Sequence, residues 1–513
     1  MRKLNHNHQR AVESKENPDT QKDASIAAKA SIIVFSKAIG ILARISSIMV
    51  LTRLLAKDDF GLLSFVLLAY TTVTGLSQLG LPDSVFYFFE RIPKESRKSF
   101  ALLTGKVLFF IGLGCSTILI ILTFVAPLLG YPVGGLFIPL IFLAILELPT
   151  TPIPNILIAI NRAKQAAWFN IFNSAMLFCA TVLPAVLGQP LSAIVYSLAG
   201  YGVLRFTLSA FIFFKNFPEA GGNLPEGMMR TQLQYSVPLG IAQIMWKVNT
   251  VIDKFVVMAF LPVAVFAEYT IGAWEFPLLP TIAYSVAAVM MPQFVACHLK
   301  GEKEELLRLW FRSIEKVSII VLPFMVLFLL VAEEFVVVLF SEQYINAALP
   351  FRIYTLVLFQ RVTSYSSILK ALGETKAITR QAVYIVLINL VLSIPFVMMW
   401  GMAGPPLATL IASIITWFYF LIKIKDAIGV RFKEVFPFKF YTKALGVSFA
   451  AGVPVLLLAQ WLQTSFEMSL IWKITAYLLS FAVLSTITGV CKKEDWLFLG
   501  KVIGLKSILD KIN

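Results

Sequence analysis

Two apolar segments of the chain carry cationic and polar side chains at helical spacing and in matching phase. One holds Lys37, Gly40, Arg44 and Ser47; the other holds Gln243, Lys247, Thr250 and Lys254. In a helix that crosses a bilayer, an ammonium or guanidinium costs about 2.5 to 3.5 kcal/mol even on insertion scales, so it normally faces a bundle interior or water. The chemistry such a set offers is electrostatic. Arg can fork onto an oxyanion through two N–H donors and Lys adds a compact charge, so together they could offset a desolvated anion. Arg361, deep in a later apolar segment, is a further cavity candidate or a partner for Glu147 or Glu275. Asp83, Glu147, Asp253 and Glu275 offer a second chemistry, because a desolvated carboxyl can hold a proton or attract Na+ and couple transport to an ion gradient. Glu275 stands out, since Pro277 frees a backbone carbonyl in the same segment. Its structural alternative is a salt bridge to Lys247 or Arg361.

Several of these residues have simpler readings. Lys37 lies where its long stem could carry the charge out to the membrane surface. Asp253 and Lys254 could neutralise each other near the outer end of their segment, and Arg205 fits either a cavity or an ion pair.

The elements that must position these side chains are membrane helices. Hydrophobic residues make up 58% and charged residues 14% of the 513, far from the roughly 25% charge of soluble domains. Runs long enough to cross a hydrocarbon layer of about 30 Å recur from end to end, and they predict about fourteen spans. The first covers residues 32–51, the seventh 235–261, the tenth 353–372 and the last 471–490. The net charge of +15 does not indicate nucleic acid, because basic residues crowd into alternate loops. Arg91, Lys94, Arg97 and Lys98 fill one such loop, whereas residues 131–135 and 188–190 carry no charge. The positive-inside rule then puts both termini in the cytoplasm, as an even number of spans requires. Residues 1–28 read as a disordered cytoplasmic tail without a signal peptide. No metal or cofactor is expected: His6 and His8 lie in that tail, and the four cysteines have no metal-ligand spacing.

The chain also reads as one plan used twice. Residues 53–61 align with 259–267 at an offset of 206, and 156–164 with 368–376 at an offset of 212. Two parallel six-helix lobes follow, 29–220 and 221–440, with residues 441–492 as two added spans and 493–513 as a cytoplasmic tail. The first offset carries Lys37 to Gln243 and Arg44 to Thr250, so the phase is shared while the charges are not. Prolines 149, 152 and 154, then 238, 277, 280, 292, 323 and 395, predict kinks.

The stretch Thr52-Arg53-Leu54-Leu55-Ala56-Lys57-Asp58-Asp59-Phe60-Gly61, followed by Leu79-Gly80-Leu81-Pro82-Asp83-Ser84, resembles the first hairpin of Wzx-type polysaccharide flippases of the multidrug/oligosaccharidyl-lipid/polysaccharide (MOP) superfamily. Tyr235-Ser236-Val237-Pro238-Leu239-Gly240 through Asp253-Lys254, and the Ala371-Leu372-Gly373-Glu374-Thr375-Lys376 turn, are similar to the same family's seventh and tenth spans. Ala267 and Glu268 depart from the family's usual glycine in the second-lobe turn. The resemblance implies an all-α, MATE-like fold in a bacterial plasma membrane. It implies alternating-access transfer of an undecaprenyl-pyrophosphate-linked oligosaccharide, beside membrane lipids and with polysaccharide polymerase and glycosyltransferases as partners. Lipid II or a multidrug cation are alternative cargoes. A membrane enzyme is disfavoured: no central-span histidine, acidic pair in a long outer loop or glycine-rich phosphate loop is present.

Overall fold

The computed structural model describes residues 18–128, 130–273, 278–462, 464–492 and 494–496, with side chains from residue 32 onward except at positions 242, 278 and 280. Among the described residues every regular element is helical. In chain order the α-helices are α1 Pro18–Leu54, α2 Lys57–Ser77, α3 Leu81–Phe89, α4 Arg97–Leu128, α5 Phe137–Glu147, α6 Ile153–Ala159, α7 Ala163–Val186, α8 Leu191–Asn216, α9 Met228–Phe260 and α10 Val263–Gly272. They continue with α11 Leu278–Lys300, α12 Lys303–Leu330, α13 Ala332–Phe340, α14 Ala348–Leu356, α15 Tyr365–Ala371, α16 Thr375–Trp400, α17 Gly404–Ile428, α18 Phe438–Ala459 and α19 Phe466–Ile487.

Eleven helical stretches are long and apolar enough to cross a membrane. One of them, Thr375–Ile428, contains both α16 and α17 and so holds two of the expected spans. Two more expected spans fall outside the eleven for physical reasons. Helix α9 has 33 residues but is too polar, with Lys247, Asp253 and Lys254 in its second half. The tenth span is broken into α14, a 3-10 turn Val357–Gln360 and α15. With these restored the chain is the multi-pass, all-helical membrane protein that hydropathy predicts. Large apolar side chains such as Leu457, Trp461, Leu479 and Ile487 are exposed on α18 and α19 or just beyond, as lipid-facing surfaces require.

The prolines act unequally. Pro149, Pro152 and Pro154 do interrupt a span: α5 ends at Glu147, a 3-10 turn covers Leu148–Thr150, and α6 starts at Ile153. Pro238, Pro292, Pro323 and Pro395 lie inside continuous helices instead. The bend between α2 and α3 rests on Leu79 and Gly80, with φ of 49° and 69°, ahead of Pro82 in the first turn of α3.

The chain forms two compact units. Unit 1 takes residues 1–59 and 65–244; unit 2 takes 60–64 and 245–513, so the division falls inside α9. Within unit 1, α1 lies parallel to α7 along a ladder of small and polar residues. Ser36 meets Asn170 at 3.5 Å and Ser47 meets Thr181 at 3.5 Å, while a Cβ on Gly40 would come within 3.0 Å of Ser174 Oγ. All three pairs share one separation of 134 residues, the signature of a fixed register between parallel helices. Close approach through small residues is how helices associate where lipid offers no hydrophobic drive. A second apolar cluster joins Phe88, Phe89, Phe100, Ile156, Phe169 and Phe213. Over it the α8–α9 connection is strapped down: Gly222 N–H donates to Glu95 O at 2.7 Å and Ser96 Oγ to Asn223 O at 2.8 Å.

In unit 2, α12 is buried along most of its length and Trp310 Nε1 donates to Val435 O at 3.0 Å. The last span and the residues after it are fixed to the unit by charge. Lys473 and Ser469 of α19 both bond Glu334 of α13, and Lys316 of α12 pairs with Asp495.

Candidate functional site

In unit 1 the expected polar face of α1 separates into two. Gly40 and Ser47 belong to the ladder against α7, so they serve packing. Lys37 and Arg44, two turns apart on the neighbouring flank, are exposed, and among the described residues neither has a carboxylate within ion-pair distance.

The acids of unit 1 are held by other side chains. Glu147 pairs with Arg205 of α8, and Tyr70 of α2 donates to its Oε2 at 2.5 Å. Arg205 Nε also reaches Thr150 Oγ1 at 2.9 Å, and its NH1 reaches the Tyr201 hydroxyl at 3.0 Å, which in turn donates to Asn173 at 2.9 Å. Glu147 therefore takes Arg205 as its partner, in place of the Arg361 considered from sequence. Burying both charges is costly, and the four neutral hydrogen-bonding groups around them supply the compensation such a pair needs. Asp83 sits in the first turn of α3, where the positive end of the helix dipole favours a carboxylate. Asn155 donates to its Oδ1 at 3.0 Å and Gln243 to its Oδ2 at 2.8 Å. Gln243 thus ties α9 to α3. Just beside it Gly240 meets Leu79 so closely that a Cβ would land 2.5 Å from Leu79 Cα.

In unit 2 Asp253 is buried rather than spread along the surface beside Lys254. Tyr269 of α10 and Tyr354 of α14 both donate to its Oδ2, the former at 2.8 Å, and the two hydroxyls lie 2.9 Å apart. Its Oδ1 is buried and has no hydrogen-bond partner among the described residues. The two donors therefore crowd on one oxygen of the carboxylate while its twin accepts none among the described residues. Lys247, Lys254 and Arg361 are half-buried, and Thr250 turns its hydroxyl back to Lys247 O at 2.7 Å. Arg361 lies in the non-helical stretch between the 3-10 turn and α15. Glu275 and Pro277 lie outside the described residues. No group of three or more metal-binding side chains occurs among the described residues.

Sequence reasoning missed the tyrosines. Tyr70, Tyr201, Tyr269 and Tyr354 read as ordinary span aromatics, and their partners lie up to 101 residues away. A tyrosine phase-matched to an intramembrane acid is the signal that could have found them, since a buried hydroxyl needs a partner.

The chain matches the model of a family described as polysaccharide biosynthesis protein over residues 50–349. No curated protein matches the sequence significantly. Among solved structures it resembles the lipid II flippase MurJ in an inward closed conformation, with a TM-score of 0.63 and 18% identity over 89% of this chain and 98% of that one. An inward-facing multidrug resistance MATE transporter of the MOP superfamily gives 0.55 at 13% identity, covering 76% and 95%. A MOP superfamily transporter from Pyrococcus furiosus gives 0.53 at 14%, covering 79% and 96%. At these identities the likeness is one of fold. The family match spans more than half of the chain, and on that ground the protein belongs to the polysaccharide biosynthesis protein family.

Proposed function

We propose that the protein is a flippase that moves an undecaprenyl-pyrophosphate-linked oligosaccharide from the inner to the outer leaflet of a bacterial plasma membrane, with both chain termini in the cytoplasm. The observation that carries this reading is the contrast inside unit 1: Arg205 is neutralised by Glu147, whereas Arg44 and Lys37 on a membrane helix have no carboxylate within ion-pair distance among the described residues. A cation kept bare at membrane depth suits an anionic cargo. Within unit 1, Arg44 and Lys37 are assigned to an anionic cargo; within unit 2, Lys247, Lys254 and Arg361 are the cationic candidates, with Thr250 as a polar contact. Gln243 acts through Asp83 and not on the cargo directly. Asp253 is assigned to coupling by H+ or Na+, with Glu275 as the second acid; Asp83 and Glu147 are structural. Substrate would be supplied by glycosyltransferases and product consumed by a polymerase, the protein itself making no covalent change.

Arg44→Ala and Lys247→Ala test the reading in a host whose surface polysaccharide depends on this protein. With normal membrane levels, each variant should lose most of the polymer while Arg44→Lys retains part of it. Full polymer in both alanine variants removes the cationic-cargo reading. A second reading, lipid II as cargo, is favoured by the near-complete coverage of the MurJ structure. Rescue of cells depleted of their lipid II flippase would select it.

A further inference from the structure

Asp83, Tyr87 and Arg91 follow one another at four-residue spacing along α3 and its terminal turn, which places them on one face. The Arg91 guanidinium lies over the Tyr87 ring with Cζ 3.5 Å from the centroid. On α9, Tyr235 stacks on Tyr87 with centroids 4.1 Å apart and an interplanar angle of 22°, and Phe88 meets Tyr235 edge-on at 5.6 Å. All five residues belong to unit 1. Arg91 and Tyr235 are exposed, and two turns along α9 from Tyr235 the exposed Gln243 closes the face at Asp83.

A guanidinium held over an aromatic ring satisfies its cation–π contact there and still has N–H donors to offer a planar or phosphate anion. Among the described residues no carboxylate takes those edges. The neighbouring Glu90 leans instead toward Arg97, at 4.0 Å. Charge pairing within the fold therefore does not account for Arg91, and loop positivity alone would not stack it. Tyr235, stacked on the same Tyr87 ring, adds an exposed aromatic side chain and hydroxyl, and the side-chain carbonyls of Gln243 and Asn155 stand at Asp83 two turns away.

We infer that the Arg91–Tyr87–Tyr235 stack is a receiving site for a phosphate-bearing lipid headgroup, gripped by the Arg91 edge in a two-pronged contact, with Tyr235 and the Asp83 clasp facing whatever the phosphate carries. The phosphate can come from a prenyl pyrophosphate, in which case the site is where the cargo of the proposed flippase first docks, or from a bilayer phospholipid. Only the first source rests on the flippase reading. The full-length protein in detergent, titrated with undecaprenyl pyrophosphate and separately with phosphatidylglycerol and followed by native mass spectrometry, tests it. Arg91→Ala should weaken one of the two by about tenfold or more, and Arg91→Lys should recover little, because a point charge cannot stack or fork. A loss for the prenyl compound assigns the cargo; a loss for phosphatidylglycerol assigns a bilayer lipid. Unchanged affinity for both in Arg91→Ala and Arg91→Lys, each eluting as monodisperse protein, overturns the site. Because the readout is binding, a protein that binds through Arg91 yet moves no substrate overturns the flippase reading and leaves the site standing.

Discussion

The Tyr269 hydroxyl donates to Oδ2 of Asp253 at 2.8 Å, the same oxygen that Tyr354 engages. That geometry satisfies one carboxylate oxygen twice and the other not at all, so the site is asymmetric in its demand for a proton or cation. If Asp253 couples transport, Asp253→Asn keeps the shape and the tyrosine contacts but removes the charge, and accumulation driven by an imposed ion gradient in proteoliposomes should fall to the undriven level. Downhill exchange should persist. An unchanged response to the gradient excludes Asp253 from coupling.

Tyr269→Phe and Tyr354→Phe each delete one donor to a buried carboxylate. Each should lower stability by about 1 kcal/mol, the range for hydrogen bonds inside membrane proteins, read as a drop in Tm of the detergent-solubilised protein. The double variant leaves Asp253 bare and should lose more than the sum.

The Glu147–Arg205 pair gives a sharper cycle. Removing one member strands the other charge, at a cost of about 3 to 5 kcal/mol, so Glu147→Leu and Arg205→Met should each destabilise strongly. The double variant should recover much of the loss. Strictly additive effects in a denaturant series would mean that the two side chains do not pair in the membrane.

The shared separation of 134 residues predicts which positions cross-link. In a background without native cysteines, Ser36→Cys with Asn170→Cys should form a disulfide on mild oxidation, as should Ser47→Cys with Thr181→Cys. Ser36→Cys with Ser174→Cys is one turn out of register and should not. Equal cross-linking of all three pairs would remove the parallel register.

Gly240→Ala should be among the least tolerated single changes, since the added methyl meets the Leu79 backbone, which cannot swing aside as a side chain would. Overpacking of this kind costs about 1 to 3 kcal/mol. Pulse-chase decay of the variant in membranes, against Gly105→Ala, whose methyl has room at 3.8 Å, separates packing from a general intolerance of substitution.

How far the sequence could be read depends on the range of each interaction. Span positions depend on local composition, so nearly all were legible, and Pro149 to Pro154 announced the broken fourth span. Helical phase placed Gly40 and Ser47 beside Arg44 but could not say which flank meets α7, because that choice is made by Asn170, Ser174 and Thr181 across 134 residues. Arg205 was legible as an anomaly and not as Glu147's partner for the same reason. Sequence left Asp253 open between ion coupling and neutralising Lys254 near the outer end of its segment, and adjacent residues on a helix point apart. Its true neighbours come from two other helices.

The strap of residues 221–223 onto Glu95 and Ser96 changes what kind of object the α8–α9 connection is. Hydropathy marks it as a spacer, the natural place to put an epitope tag or to invite a protease. Its backbone is instead spoken for by the turn before α4; a Cβ on Gly221 would land 2.2 Å from Ser99 Oγ, and one on Gly222 would press on Glu95 at 3.1 Å. The segment is therefore a folded part of unit 1 rather than slack: a protease that cuts after glutamate should leave Glu219 uncut in the native protein, and a tag at Gly222 should cost the whole unit, whereas one at the open Gly227 should be carried without loss.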